Sequence, residues 1–206
     1  FIRPGTLLDV GAGIGQFLAF SKPRFTQVYG TEISSTAAQI ATQRFNVDIH
    51  VGDLLDINMK ECAPFDNITL FHTLEHVPSP RTLLEQCHHL LSTSGILTIA
   101  VPHEIDSIIA RLRRNVRRCM GALHTHSSFV PGTMGFPQLL FDGSVSEIHL
   151  SYFTVPVLVR LVEECHFKII DLSLDPYYAK SGVKLFLHQS YYILNSVFFR
   201  STGKNL

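Results

Sequence analysis

The sequence predicts an α/β fold, a doubly wound and mostly parallel sheet with helices on both faces. Three observations carry that reading. From Thr6 to Pro102, short apolar runs bounded by turn residues alternate with helical patterns. The run NITLFH (67–72) is almost continuously apolar, as strands buried on both faces of a parallel sheet tend to be. The stretch LLDVGAGIGQF (7–17) joins an apolar strand, a glycine-rich turn and the start of a helix.

The elements follow in order. TLLDV (6–10) reads as the first strand and GQFLAFSK (15–22) as a helix. QVYGTEI (27–33) is the second strand, and SSTAAQIATQRF (34–45) a helix with Ser34 or Ser35 as its N-cap. VDIHVGD (47–53) gives a short third strand, and NITLFH the fourth. SPRTLLEQCHHLLS (79–92) is an amphipathic helix with Pro80 near its start and Gly95 beyond its end. GILTIAVP (95–102) is the fifth strand. Residues 103–147 then break the rhythm with a basic stretch and a Gly/Pro/Ser-rich loop, read as a lid over the substrate at the carboxyl edge of the sheet. SYFTVPVLVRLVEECHF (151–167) resumes as a helix and KIIDLSL (168–174) as a strand.

Composition bounds the rest. At 206 residues and 46% hydrophobic, the chain suits a single domain, 1–206, with a sizeable core. Seventeen basic and 17 acidic residues balance, so no global field draws it to nucleic acid. Cys62, Cys87, Cys119 and Cys165 form no CxxC pair and read as reduced thiols of a cytoplasmic protein. No apolar stretch approaches the roughly 18 residues that would span a bilayer. The chain opens at Phe1 and enters the glycine-bearing strand within a few residues, so it is expected to be cropped at both ends.

The glycine turn points to a cofactor bearing adenosine. Glycine lets backbone approach a ligand with no Cβ in the way. A dinucleotide fold uses GxGxxG to cradle a pyrophosphate on a helix N-terminus. Here Gly11, Gly13 and Gly15 give GxGxG, with Asp9 two places ahead. S-adenosylmethionine has no phosphate but carries a sulfonium, an ammonium, a carboxylate and a ribose diol. Asp9 can answer its positive groups, or it can stabilise the turn through backbone N–H groups. Glu32 lies 21 residues after Gly11, where a carboxylate can accept from both ribose hydroxyls, a feature shared with NAD folds. Asp53, ending the third strand, is placed to accept from an adenine amino group.

Taken together these motifs resemble a class I S-adenosylmethionine-dependent methyltransferase, of the broad group that methylates small molecules. LLDVGAGIG is similar to the family's first motif, GTEIS to its acidic second-strand end, and VGDLLDI to its adenine-contacting segment. FDNITLFHTLEHVPSP, LLSTSGILTIAVP and EIHLSYFTVPVLVRLVEECHFKII follow in the family's order, so the likeness covers most of residues 4–174. It implies a Rossmann-like class I methyltransferase fold with S-adenosylmethionine as cofactor. Gly11, Ala12 and Gly13 would line the methionine moiety, and Glu32 would hold the ribose with Ile33 on the adenine. Asp53 and Leu54 would bracket the adenine edge, and Phe71 and His72 would contact the methionine end. The family's helix before the first strand and its last antiparallel strand are not found within this sequence.

Methyl transfer from a sulfonium is an in-line displacement, in which the protein positions the acceptor and removes its proton where it has one. Histidine titrates near neutral pH and suits that task. His76, in the turn after the fourth strand, is the first candidate, facing the methyl group in similar enzymes; its other reading is an N-cap or orienting role. His149, His103, Glu75 and Glu104 are rivals at the same edge. His72 and His76 have i, i+4 spacing, but they flank a strand end and no Cys joins them at zinc-like spacing, so no metal is expected.

The stretch 105–120 carries Arg111, Arg113, Arg114, Arg117 and Arg118 beside an apolar stripe. It reads as a solvated face, or as a dock for an anionic or carrier-tethered substrate or an acidic membrane surface. No nucleic acid is expected, because the Asn/Asp-Pro-Pro-aromatic motif of amino-methylating DNA enzymes is replaced by HTLEH. Leu187, Tyr191, Leu194 and Phe198 line one side of a helix in the tail. The reading is methyl transfer to a small molecule, a sugar, lipid-linked or carrier-tethered metabolite, with oxygen favoured because a histidine base is at hand. The alternatives are a non-catalytic cofactor-binding scaffold of the same fold and an NAD-dependent oxidoreductase.

Overall fold

A computed structural model describes residues 4–102, 149–173 and, near the C-terminus, 193–194, 196–197 and 199–201. The expected lid 103–147, with His103, Glu104 and the arginines, lies outside the described residues, as do Leu187, Tyr191 and Phe198 of the tail. The chain divides into two compact units, one of residues 1–102 and 159–169, the other of residues 103–158 and 170–206.

In the first unit five strands form one parallel sheet in the order β3-β2-β1-β4-β5. They are β1 (Thr6–Val10), β2 (Gln27–Glu32), β3 (Asp48–Val51), β4 (Phe65–Phe71) and β5 (Leu91–Ala100). Between them run α1 (Gln16–Ser21), α2 (Ser35–Phe45) and α3 (Pro80–Leu90), while α4 (Val155–Glu164) follows later in the chain. Growth runs outward from β1 in one direction to β3, then from β4 in the other. The order therefore reverses between β1 and β4, where ligands of open α/β sheets bind beyond the strands' carboxyl ends.

Burial shows why the strands are so apolar. Leu7 and Leu8 point to opposite faces of β1, as successive strand residues must, yet both are fully buried. On one face Leu7 packs with Leu18 of α1, Ala41 of α2 and Val47. Phe65, Ile68 and Leu70 of β4 are buried as completely. On α3 the buried Leu83, Leu84, Cys87 and Leu90 form one stripe at helical spacing.

The caps follow the local chemistry. Ser34 is the N-cap of α2, its Oγ accepting from the Ala37 N–H at 3.3 Å. Asn46 closes that helix in the left-handed region, with its N–H on the Thr42 carbonyl. Pro80 opens α3 behind Ser79.

Three details depart from the sequence reading. β5 begins at Leu91, directly after α3, so Gly95 lies inside the strand rather than at its start. The Leu91–Phe65 pairing recruits this polar stretch, with a ladder irregularity between Phe65 and Asn67. Residues 168–173, expected to be a strand, form none among the described residues. A strand is defined by ladder bonds to a neighbour, which an apolar pattern alone does not supply. Finally, the helix expected over 151–167 is confined to Val155–Glu164.

Candidate functional site

The sequence-predicted site residues of the first unit gather at the carboxyl ends of β1, β2, β3 and β4. The turn after β1 folds back on β2, with the Gly11 and Ala12 N–H groups both on the Thr31 carbonyl at 2.9 Å. Its glycines divide the work. A Cβ on Gly11 would stand 2.5 Å from the Thr73 hydroxyl, and one on Gly15 2.7 Å from the Ala41 Cβ. At Gly13 (φ 54°) a Cβ would meet nothing within 4 Å, so this is the glycine that borders open space.

Glu32 closes one side of that cradle. One carboxylate oxygen accepts from the Gly13 N–H and the other from the Ser34 N–H, each at 2.9 Å. An ionised carboxylate has about four acceptor positions, so capacity remains for a vicinal diol. Ile33, just beyond, is 77% exposed, an unusual place for a large apolar side chain unless something flat covers it. Val51 and Leu55, which the sequence reading overlooked, are exposed at the end of β3 and in the loop beyond it. Asp53 holds that loop by accepting from the Leu55 N–H at 3.0 Å. Leu54 packs its side chain into the core.

Asp9 is buried, and its partner is the Thr69 hydroxyl of β4 at 2.6 Å, not a backbone N–H of the turn. Burial pushes its carboxyl up to about 6, opposed by the Thr69 hydrogen bond and assisted by the negative charge of Glu32. Phe71, at the end of β4, meets Phe17 of α1 edge-to-face with centroids 4.8 Å apart. His72 follows in the left-handed region (φ 53°), rare for a residue with a Cβ, its N–H donating to the Ala100 carbonyl.

The turn 72–76 carries the acid–base groups. Glu75 is 1% exposed, and neither carboxylate oxygen has a hydrogen-bond partner. Two imidazoles stand near the same oxygen, His72 Nδ1 at 3.4 Å and His76 Nε2 at 3.9 Å, close enough for charge pairing without hydrogen-bond geometry. His76 is partly exposed, and its backbone N–H donates to the Thr73 carbonyl. It is not the N-cap of α3, a place taken by Ser79. His149 belongs to the second unit, where its ring packs edge-to-face on Tyr152 with centroids 5.9 Å apart. Thr69 and Thr73 were missed in the sequence. The signal available for Thr69 was a hydroxyl between the apolar Ile68 and Leu70 of a buried strand.

Elsewhere Cys62, Cys87 and Cys165 carry free thiols, Cys87 pushed up to about 12 by burial, while Cys119 lies outside the described residues. Among the described residues no helix is long and apolar enough to cross a membrane.

Comparison with known proteins agrees with this geometry. A family model described as a methyltransferase domain matches residues 1–172. A ubiquinone biosynthesis O-methyltransferase of Coxiella burnetii is 24% identical over 146 residues, 68% of this chain and 59% of that protein. Its Xylella fastidiosa counterpart is 28% identical over 99 residues, 46% of this chain and 40% of that one. A dTDP-4-amino-2,3,4,6-tetradeoxy-D-glucose N,N-dimethyltransferase of Saccharopolyspora spinosa is 30% identical over 132 residues, covering 54% and 52%. The chain thus spans about half the length of these curated relatives. Among solved structures, a Thermotoga maritima S-adenosylmethionine-dependent methyltransferase, a possible histamine N-methyltransferase, superposes with a TM-score of 0.55. It does so at 18% identity over 82% of this chain and 66% of that one, a likeness of fold. The chain belongs to the methyltransferase-domain family, with the class I S-adenosylmethionine-dependent fold.

Proposed function

We propose that this chain transfers a methyl group from S-adenosylmethionine to an oxygen of a small-molecule acceptor. The observation that carries the reading is the open cradle at Gly13, closed on one side by the Glu32 carboxylate at the switch point of the sheet. The residues fit the cofactor group by group. Gly11, Ala12 and Gly13 would offer backbone to the methionine end, with Asp9, Phe71 and His72 as its proposed neighbours at the ends of β1 and β4. Glu32 keeps acceptor capacity for the ribose diol. Ile33, Asp53 and the backbone of Leu54 suit the adenine, with the exposed Val51 and Leu55 beside them.

S-adenosylmethionine supplies the methyl group and the leaving sulfide. This chain's work is to hold the acceptor in line and take its proton. His76 is the proposed base, with the buried Glu75 carboxyl group 3.9 Å from its Nε2. His149 is its rival for that role. His76→Ala is expected to lower turnover about 10²–10⁴-fold, the usual span for a general base, and to leave the S-adenosylhomocysteine Kd nearly unchanged. Labelled-methyl transfer to candidate acceptors, with binding by calorimetry, separates the two; wild-type turnover in that variant removes His76 from the mechanism.

Acceptors of three kinds belong in that panel. The relatives named as ubiquinone biosynthesis O-methyltransferases favour an oxygen acceptor, and the sugar N,N-dimethyltransferase makes amino sugars the comparison. An anionic or carrier-tethered metabolite is the third, on the strength of the arginines at 111–118. Free thiols and a metabolite-borne methyl donor suit the cytoplasm.

A further inference from the structure

Thr73 stands where the cofactor cradle and the acid–base turn meet. Its hydroxyl donates to the Val10 carbonyl at 2.8 Å, across 63 residues of sequence, at the last residue of β1. Its side chain fills the space that Gly11 leaves by having no Cβ: a methyl group there would lie 2.5 Å from Oγ1 and 3.0 Å from Cγ2. The carbonyl of the same residue accepts from the His76 N–H at 3.0 Å, and so shapes the turn that carries Glu75 and His76. One residue upstream, His72 is held in the left-handed region with its N–H on β5. A turn with such backbone needs external ties to keep its shape. Thr73 supplies the tie to β1, and that tie ends on the glycine turn itself.

We infer that Thr73 is a positioning residue that couples occupancy of the Gly11–Gly13 cradle to the order of the 72–76 turn. A ligand that settles on the cradle fixes the Val10–Gly11 backbone. The fixed Val10 carbonyl then holds the Thr73 hydroxyl, and with it the turn that presents His76. The effect acts through another residue's geometry, so Thr73 itself touches neither methyl group nor acceptor. This rests on the reading of the cradle as the S-adenosylmethionine site.

The test needs no acceptor. S-adenosylhomocysteine is added to wild type, Thr73→Ser and Thr73→Val, and backbone hydrogen exchange of residues 72–77 is followed with calorimetry alongside. Serine keeps the hydroxyl, and valine keeps the shape without it. In wild type and T73S the ligand should slow exchange in this segment by about three- to tenfold, the range one hydrogen bond of ordinary net strength supports. In T73V the ligand should still bind, with Kd weakened by no more than the roughly three- to tenfold the coupling is worth, while exchange in the segment stays as it was without ligand. Thr73→Ala serves the same purpose should the valine variant fail to fold. Equal ligand-induced slowing in the hydroxyl-free variant overturns the coupling and leaves the cofactor site standing. Loss of the slowing in T73S, which keeps the hydroxyl, shows that the hydroxyl tie does not carry the effect and also overturns it. Wild type that does not bind the ligand overturns the site and the coupling together.

Discussion

Asp9 shows most plainly how a single side chain can trade stability for function. It is a carboxyl buried against Thr69 with Glu32 nearby, and burial moves it from 3.8 to about 6. The folded state therefore holds the proton that the unfolded chain releases near pH 4. Its contribution favours the fold below that pH and is lost as pH rises through 6, a change of about 3 kcal/mol for two pKa units. Asp9→Asn keeps an acceptor for the Thr69 hydroxyl without the charge. Urea melts from pH 4 to 8 should find D9N more stable than wild type at neutral pH, the two curves meeting near pH 4. A gap that does not change with pH would contradict the argument. The same charge is what should attract the cofactor's ammonium and sulfonium, so D9N should also bind S-adenosylmethionine more weakly. Sequence alone placed Asp9 at the turn but offered two roles for it. Its actual partner comes from β4, 60 residues away, and no local pattern announces that.

At the level of elements, the β1–turn–α1 unit was legible because every part of it is local. The strand is apolar, the glycines adjoin it and the helix follows at once. What the pattern cannot say is why each glycine is there. Gly15 is the N-cap of α1 at φ 77°, packed on Ala41 of α2 and on Val47, whereas Gly13 at φ 54° borders open space. Alanine at either position pays roughly 1–2 kcal/mol for the left-handed backbone. Gly15→Ala adds overpacking, about 1–3 kcal/mol more, and should lower the melting temperature clearly. Gly13→Ala should melt lower only by that backbone cost, less than Gly15→Ala, while losing about tenfold or more in S-adenosylhomocysteine affinity. Thermal melts with calorimetry distinguish the pair; equal loss of stability in both would contradict this division. The elements that sequence misjudged depend on distant partners. β5 starts early because Leu91 finds Phe65, and 168–173 is not a strand because apolar pattern alone makes no ladder.

Over the whole molecule, the parallel order and its reversal beside β1 were readable from alternation of elements, since short crossovers leave few topologies. The gathering of Gly11–Gly13, Glu32, Asp53 and Phe71–His72 at one edge was readable too, because each lies at or just beyond the end of a strand, and parallel strands bring their carboxyl ends together. The acceptor was not readable. Binding chemistry is commonly carried by loops whose residues follow no fixed spacing, and the stretch expected to carry it here, 103–147, lies outside the described residues. The central claim is therefore about the cofactor, and one titration tests it most directly. Calorimetry compares S-adenosylhomocysteine with NAD on wild type and on Glu32→Ala. S-adenosylhomocysteine should bind wild type, NAD should not, and E32A should weaken binding about ten- to a hundredfold, as expected for lost hydrogen bonds to a charged acceptor. Preference for NAD, or a Glu32→Ala variant that binds S-adenosylhomocysteine as wild type does, would contradict the account.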